Sequence, residues 1–255
     1  MAKHNSDSPK TKKPRHIARW ITLVLCAFVV ITAIGFTVYV NDYYHAVPGN
    51  EVYLEQAADP AVSQTDGRIT FGDPSAEAGF ILYPGAKVDY AAYAPMLSEL
   101  ASDGVFCVVV QVPFNIAFFD AGAAQGVMDA YPSIGSWYVG GHSLGGVVAS
   151  GWAASHANEV AGLVFLASYP TDDLSQQGMR VLSLYGSEDK VLNRESYDQA
   201  IPRLPEGYTE VVIEGGNHAQ FGNYGVQAGD GEATISPQEQ WDKTASAIAD
   251  FIHAG

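Results

Sequence analysis

The sequence is poor in cysteine and in charged side chains. Its two cysteines, Cys26 and Cys107, are too few for a scaffold stapled by several disulfides or for a zinc site built from cysteines. Charged residues make up 16% and hydrophobic residues 47% of the 255 residues, a composition that excludes an intrinsically disordered chain. The net charge of −15 argues against a nucleic-acid partner, which would require a basic face.

Basic side chains are scarce except at the N-terminus. Residues 1–19 contain six basic and one acidic side chain, whereas residues 41–255 contain seven basic and 27 acidic ones. Residues 20–40 contain no charged side chain, and as a helix they are long enough to cross the hydrocarbon core of a bilayer. Trp20 and Tyr39 stand at the two ends of this segment, where aromatic rings favour the membrane interface.

This pattern predicts a transmembrane anchor in residues 20–40, preceded by a basic cytoplasmic tail in residues 1–19. The alternative is a cleaved signal peptide. Such peptides have a shorter apolar segment that ends in small residues, whereas this one ends in Val38-Tyr39-Val40. By the positive-inside rule, the tail is cytoplasmic and the rest of the chain lies outside. We therefore expect a single-pass protein of the cell membrane.

The part that follows the apolar segment divides into two stretches. Residues 41–66 are polar and contain Pro48 and Pro60, which is typical of a stalk or a loosely packed lead-in. Residues 67–255 are numerous enough to form one sizeable core. They alternate short apolar runs with segments of helical spacing, which predicts an α/β fold with a mostly parallel sheet and helices on both faces. The predicted strands are residues 79–83, 105–112, 136–140, 160–167, 180–185 and 209–213, and the predicted helices are residues 90–101, 115–130, 144–156, 194–200 and 237–253.

The third predicted strand leads directly into Gly141-His-Ser-Leu-Gly145, which fits the pattern G-x-S-x-G. In this pattern the serine lies on a tight strand-to-helix turn that lifts its hydroxyl out of the sheet. The N-terminus of the following helix supplies positive potential for an oxyanion. Ser143 is therefore the candidate nucleophile, and the alternative is a glycine-rich turn with an idle serine.

A serine hydroxyl needs a base, and the base needs an orienting acid; with this serine turn the acid and then the histidine follow in the chain. Active groups gather at the carboxyl ends of parallel strands. His218 follows the sixth predicted strand on a glycine-rich loop and is the candidate base. Asp189 follows the fifth predicted strand and is the candidate acid, with Glu188 and the pair Asp172 and Asp173 as alternatives.

Two backbone N–H groups are expected to form an oxyanion hole. One belongs to Leu144, directly after the nucleophile, and the other to the loop after the first predicted strand. Pro84 has no N–H, so the second donor is Ala86 or Gly85. The chemistry requires neither a cofactor nor a metal ion.

Several segments resemble the α/β-hydrolase superfamily, namely Gly141-His-Ser-Leu-Gly-Gly146, Gly186-Ser-Glu-Asp-Lys-Val191 and Gly216-Asn-His218. Residues 83–89 and 217–225 resemble one branch, the compact bacterial α/β-hydrolase fold-5 family, and the likeness extends over residues 79–252. The resemblance implies a Ser143–His218–Asp189 triad and hydrolysis through an acyl-enzyme. It departs from many members in having Pro84-Gly85 where they carry His-Gly, and residues 168–178 leave too little chain for a lid domain.

The sequence thus predicts a membrane-anchored serine hydrolase that acts on a small-molecule or lipid-like ester. The alternative is a hydrolase-fold binding module without turnover at the cell surface. A dienelactone hydrolase or a dehalogenase is disfavoured, because those enzymes carry cysteine or aspartate where this chain has Ser143.

Overall fold

The protein was analysed as a computed structural model that describes residues 15–55, 61–65 and 67–255. Most of the predicted basic tail, together with residues 56–60 and Asp66 of the predicted lead-in, lies outside the described residues. The chain divides into two units, Met1–Asp42 and Tyr43–Gly255.

Among the described residues of the first unit, Arg15–Asn41 form a helix, α1. Its part Ala18–Asn41 has 24 residues and a mean hydropathy of 2.6, so it is long and apolar enough to cross a membrane. Leucine and alanine favour the helix, and two of its threonine hydroxyls, those of Thr22 and Thr37, donate to the carbonyls of Ala18 and Ala33.

The second unit is built on one sheet of eight strands. Their order across the sheet is β1-β2-β4-β3-β5-β6-β7-β8. Strands β3 to β8 are parallel, and β2 runs antiparallel to both of its neighbours. The strands are β1 (Val62–Thr65), β2 (Arg68–Phe71), β3 (Ala78–Tyr83), β4 (Phe106–Val110), β5 (Ser136–His142), β6 (Gly162–Leu166), β7 (Arg180–Gly186) and β8 (Thr209–Ile213).

Helices cover both faces of this sheet. Met96, Leu97 and Ile248, from α2 and α6, pack into the core on one face. Val148 and Trp152 of α4 pack into the core on the other face. The predicted fold class, a mostly parallel sheet with helices on both faces, is therefore confirmed. The helices are α2 (Ala94–Ser102), α3 (Ala123–Ala130), α4 (Leu144–Ser155), α5 (Arg194–Ala200) and α6 (Pro237–His253).

The segment expected to be a stalk or a loose lead-in is packed against the second unit. Tyr44 forms a parallel bridge with Val88, and Asn50 is buried and donates to the carbonyl of Ala91. Val62 begins β1, which pairs with β2. The compact unit Tyr43–Gly255 therefore includes part of the segment for which a stalk or a loosely packed lead-in was expected.

One predicted helix is interrupted. Residues 115–130 contain a 3₁₀ turn, Ala117–Asp120, and only then the helix α3. Phe114 and Asn115 have positive φ angles of 59° and 55°, which do not occur in a right-handed α-helix. A helix therefore does not begin at residue 115. Residues 167–179, between β6 and β7, contain no helix or strand, so this connection carries no lid domain.

Candidate active site

Ser143 lies on a sharp turn between β5 and α4. Its backbone has φ 52° and ψ −123°, a conformation that a non-glycine residue adopts only when the surrounding structure holds it there. Two hydrogen bonds do so: the Ser143 N–H donates to the carbonyl of Leu166 at 2.9 Å, and the Ser168 hydroxyl donates to the carbonyl of Ser143 at 2.7 Å. The turn thus presents the Ser143 side chain at the carboxyl edge of the sheet.

The two glycines that flank the serine allow backbone segments to approach closely. A Cβ atom on Gly141 would overlap with the backbone of Gly145. A Cβ atom on Gly145 would overlap with the carbonyl oxygens of Tyr83 and Pro84, at the end of β3. The start of α4 therefore lies directly against the loop that follows β3, and this contact is possible only with glycine at position 145.

Asp189 and His218 form a hydrogen-bonded pair in the structure. Oδ2 of Asp189 lies 2.8 Å from Nδ1 of His218, and both side chains are almost fully buried. The other carboxylate oxygen of Asp189 accepts the N–H groups of Val191 and Leu192, each at 2.8 Å. These bonds fix the carboxylate beside the imidazole.

The other candidate acids do not reach His218. Glu188 accepts a bond from the Ser187 hydroxyl, and Asp173 accepts the N–H of Ser175 in a surface turn. Asp172 accepts a bond from its neighbour Thr171. The structure therefore brings only Asp189, of the four carboxylates considered, to the imidazole.

The loop that carries His218 is held by the polar side chains of Gln240, which is buried, and Asp230, which is partly buried. Gln240 of α6 accepts the N–H of Asn217 at 3.0 Å and donates to its carbonyl at 2.8 Å. Asp230 accepts the N–H of Ala219 at 2.8 Å and that of Lys190 at 3.3 Å, so it ties the histidine loop to the aspartate loop. The sequence analysis assigned no role to Asp230 or Gln240.

A second histidine, His142, lies beside the first. It is buried, its ring centroid is 4.5 Å from that of His218, and its Nδ1 lies 2.9 Å from the hydroxyl oxygen of Tyr93. Tyr93 also accepts the N–H of Gly85 at 2.9 Å. Because the Gly85 N–H is committed to Tyr93, Ala86 is left as the candidate for the second oxyanion donor.

Leu144 is the first residue of α4, where the N–H has no partner within the helix. Ser143, Leu144 and His218 line a cleft of about 200 Å³, and its remaining wall is largely apolar, with Val147, Val191 and Leu192 among its residues. Nε2 of His218 is buried without a hydrogen-bond partner. In the part of the chain that the structure describes, no group of three or more His, Cys, Asp or Glu side chains is placed to hold a metal ion.

Burial disfavours the charged form of His142. It holds the pKa of the imidazole well below its usual value, and the nearby His218 lowers that pKa further. Tyr93, Phe221 and Tyr224 are the other ring neighbours, and burial raises the pKa of both tyrosines, so they stay neutral as well. His142 is therefore an uncharged hydrogen-bonding residue at neutral pH.

This assignment predicts how stability depends on pH. In the unfolded chain His142 titrates near its ordinary pKa, while in the folded chain it resists protonation, so stability falls as the pH drops below about 6.5, by up to about 1.4 kcal/mol per pH unit. We expect His142→Phe to reduce the fall in Tm between about pH 7.5 and about pH 5.5. His253→Phe, at an exposed position, is the control and keeps the wild-type fall. An equal fall in the His142→Phe variant would contradict the assignment.

Residues 79–242 match the model of the family described as Alpha/beta hydrolase family. Solved structures share the fold. A predicted CIB-like hydrolase from Thermoplasma acidophilum is 15% identical with a TM-score of 0.54, and the match covers 74% of this chain and 96% of that one. Est1E from Butyrivibrio proteoclasticus is 13% identical with a TM-score of 0.55, and the match covers 76% of this chain and 97% of that one. A thioesterase domain from the curacin biosynthetic pathway is 11% identical with a TM-score of 0.52, and the match covers 76% of this chain and 98% of that one. A search of curated protein sequences gives no match.

Proposed function

Because the chain belongs to the alpha/beta hydrolase family, we propose that it is a serine hydrolase that cleaves an ester-like bond through an acyl-enzyme on Ser143. One observation carries the proposal. The Asp189–His218 pair, with its 2.8 Å hydrogen bond, lies beside a cleft that His218 shares with Ser143, and Nε2 of His218 has no hydrogen-bond partner and is free to accept a proton. A base that is oriented by a carboxylate and next to a strained serine turn is what nucleophilic catalysis requires.

In the proposed reaction, Nε2 of His218 takes the Ser143 proton while the Ser143 oxygen attacks the carbonyl carbon. The N–H groups of Leu144 and Ala86 donate to the oxygen as it becomes negative. Asp189 keeps the imidazole in the required tautomer and stabilises its protonated form. His218 then gives the proton to the departing alcohol, which leaves Ser143 acylated. A water molecule, deprotonated by the same imidazole, releases the acid and restores the serine.

The neighbours support a carbonyl substrate of this kind. Est1E has been solved with ferulic acid bound, and the curacin-pathway structure is a thioesterase domain. The wall formed by Leu144, Val147 and Leu192 suits the apolar part of an acyl group. We place the substrate of this chain in the class of small-molecule or lipid-like esters.

We further propose that α1 is an uncleaved membrane anchor. Its length and apolarity support a span, and the basic residues that precede it favour a cytoplasmic N-terminus. The catalytic unit Tyr43–Gly255 then lies outside the cytoplasm.

A fluorophosphonate probe tests the proposed nucleophile, since it bonds covalently only to an activated serine. We expect the full chain, purified in detergent, to be labelled at Ser143, as located by mass spectrometry of its peptides. Heat-denatured protein is the control, because unfolding separates Ser143 from His218 and abolishes the labelling. A binding module without turnover would show no labelling in the native state, and that result would overturn the proposal.

A further inference from the structure

The catalytic unit exposes a cluster of phenylalanines. Tyr43–Gly255 contains nine phenylalanines, of which six are buried and three, Phe114, Phe118 and Phe119, are 46%, 60% and 54% exposed. We call these three residues the phenylalanine patch. Single exposed apolar side chains are ordinary, but a contiguous apolar patch marks an interaction surface. All three lie within six residues of the chain, directly after β4.

The local backbone keeps this cluster in place. Phe114 adopts a positive φ of 59°, which costs a bulky residue about 1–3 kcal/mol. Its ring packs edge to face on that of Phe119 at 5.3 Å. Phe118 and Phe119 belong to the 3₁₀ turn Ala117–Asp120. The three rings are thus presented by a fixed turn rather than by a loose loop.

The phenylalanine patch is close to the point where the chain enters the catalytic unit. Helix α1 ends at Asn41, and Tyr44 is three residues further, a span of at most about 11 Å. The Tyr44 N–H donates to the carbonyl of Lys87, and the Lys87 N–H donates to the carbonyl of Asn115, both at 2.7 Å. Tyr43 and Phe114 also line the same surface hollow of about 480 Å³. If α1 spans a membrane, the chain connectivity therefore holds the patch near the membrane surface.

The same contacts connect the patch to the catalytic machinery. Lys87 directly follows Ala86, the candidate oxyanion donor. Tyr83, at the end of β3, donates its hydroxyl to the carbonyl of Ala121 and accepts the N–H of Ala124. The start of α3 and the turn that precedes it are thus bonded to the strand that leads into the oxyanion loop. The patch and the Ser143 cleft lie at the same edge of the sheet, where the parallel strands end.

We propose that the phenylalanine patch is a membrane-docking surface that holds the Ser143 cleft at the bilayer, and that the substrate is an acyl ester resident in that bilayer. This inference rests on the proposed function and names its substrate class. Aromatic rings favour the membrane interface, and the backbone that carries the patch is hydrogen-bonded through Lys87 to Tyr44, three residues after the end of α1. Docking is apolar rather than electrostatic, because the unit holds 26 acidic and seven basic side chains and Asp120 adjoins the patch. Zwitterionic lipid is therefore sufficient for docking.

A fluorescence experiment tests the docking surface without requiring catalysis. The full chain with Cys26→Ala is placed in phosphatidylcholine nanodiscs and carries a polarity-sensitive label on Phe118→Cys. Cys107 is buried, and burial raises the pKa of its thiol, so it does not compete for the label. The control carries the label on Ser102→Cys, an exposed position at the end of α2, four residues before β4 begins and so near the opposite edge of the sheet. We expect the label at position 118 to emit at shorter wavelength than at position 102 and to be quenched by lipid-borne spin labels. Equal emission and no quenching at 118 would overturn the docking surface.

Kinetics test the substrate class. For the full chain in phosphatidylcholine vesicles, we compare the hydrolysis of a long-chain fluorogenic ester in the bilayer with that of p-nitrophenyl acetate in solution. We expect Phe118→Ser with Phe119→Ser to lower the ratio of the first rate to the second by roughly tenfold, because two apolar anchors are lost. Val212→Ser, at an exposed position of the outermost strand β8, leaves the ratio at the wild-type value. An unchanged ratio in the double variant would overturn the inference. If neither ester were hydrolysed and no probe labelled Ser143, the proposed function would fail instead, and the fluorescence result would still decide whether the patch docks.

Discussion

Ser143→Ala should lower kcat/KM for ester hydrolysis by about a thousandfold or more, because the loss of a triad nucleophile removes the covalent route altogether. The N–H groups of Leu144 and Ala86 remain in place in this variant, so a small residual rate above that of the uncatalysed reaction is expected. The measurement is the steady-state hydrolysis of p-nitrophenyl acetate by the full chain.

The matched control for this substitution lies on the same helix. Ser155→Ala removes an exposed hydroxyl at the other end of α4, where it only donates to the carbonyl of Gly151 at 3.4 Å, and the activity should stay at the wild-type level. Both variants should melt at the wild-type Tm, since neither substitution removes a buried apolar contact. A Ser143→Ala variant with wild-type kcat/KM would exclude Ser143 as the nucleophile.

The central part of the fold could be predicted because its strands are buried on both faces. Residues 105–110 and 160–167 are continuously apolar, and they contain β4 and β6 as parallel strands between two helical layers. Helix α6 has the predicted bounds because its start is encoded locally. Ser236 accepts the N–H of Glu239 and Pro237 takes the first helical position.

The first two strands could not be predicted in the same way. Strands β1 and β2 have four residues each, and β1 contains Ser63, Gln64 and Thr65, of which none is buried. Their pairing depends on a partner far along the chain, since Ile69 of β2 faces Val109 of β4. A pattern of alternating polarity over so few residues does not distinguish an edge strand from a polar linker.

The candidate triad could be identified from sequence because each member directly follows a strand. Ser143, Asp189 and His218 come after β5, β7 and β8, and the topology alone brings these strand ends to one edge. Tyr93 and Asp230 lack such a signal. Tyr93 reaches Gly85 only because α2 packs on the sheet, and Asp230 reaches Lys190 only through loop packing. Residues whose role depends on contacts between loops do not occupy a regular position in the sequence pattern, so the pattern does not identify them.

Gly145→Ala should destabilise the second unit by about 3 kcal/mol or more and abolish most activity. A methyl group at this position would overlap with the backbone carbonyl oxygens of Tyr83 and Pro84, and backbone atoms cannot rotate away as the end of a flexible side chain can. The start of α4 must therefore move away from the loop after β3. That movement separates the N–H of Leu144 from the N–H of Ala86, so the loss of activity and the loss of stability have the same cause.

A glycine elsewhere supplies the control for this prediction. Gly126 lies inside α3, and a Cβ atom there would meet nothing within 4 Å. Gly126→Ala should therefore raise stability by up to about 1 kcal/mol, because alanine favours a helix over glycine. We compare the Tm of the two variants, measured by thermal unfolding of the full chain, and their kcat/KM for p-nitrophenyl acetate. A Gly145→Ala variant with the same Tm as Gly126→Ala and with wild-type kcat/KM would contradict this prediction. The close contact between the serine turn and the loop after β3 would then not exist in solution, and the assignment of Ala86 to the oxyanion hole would be wrong.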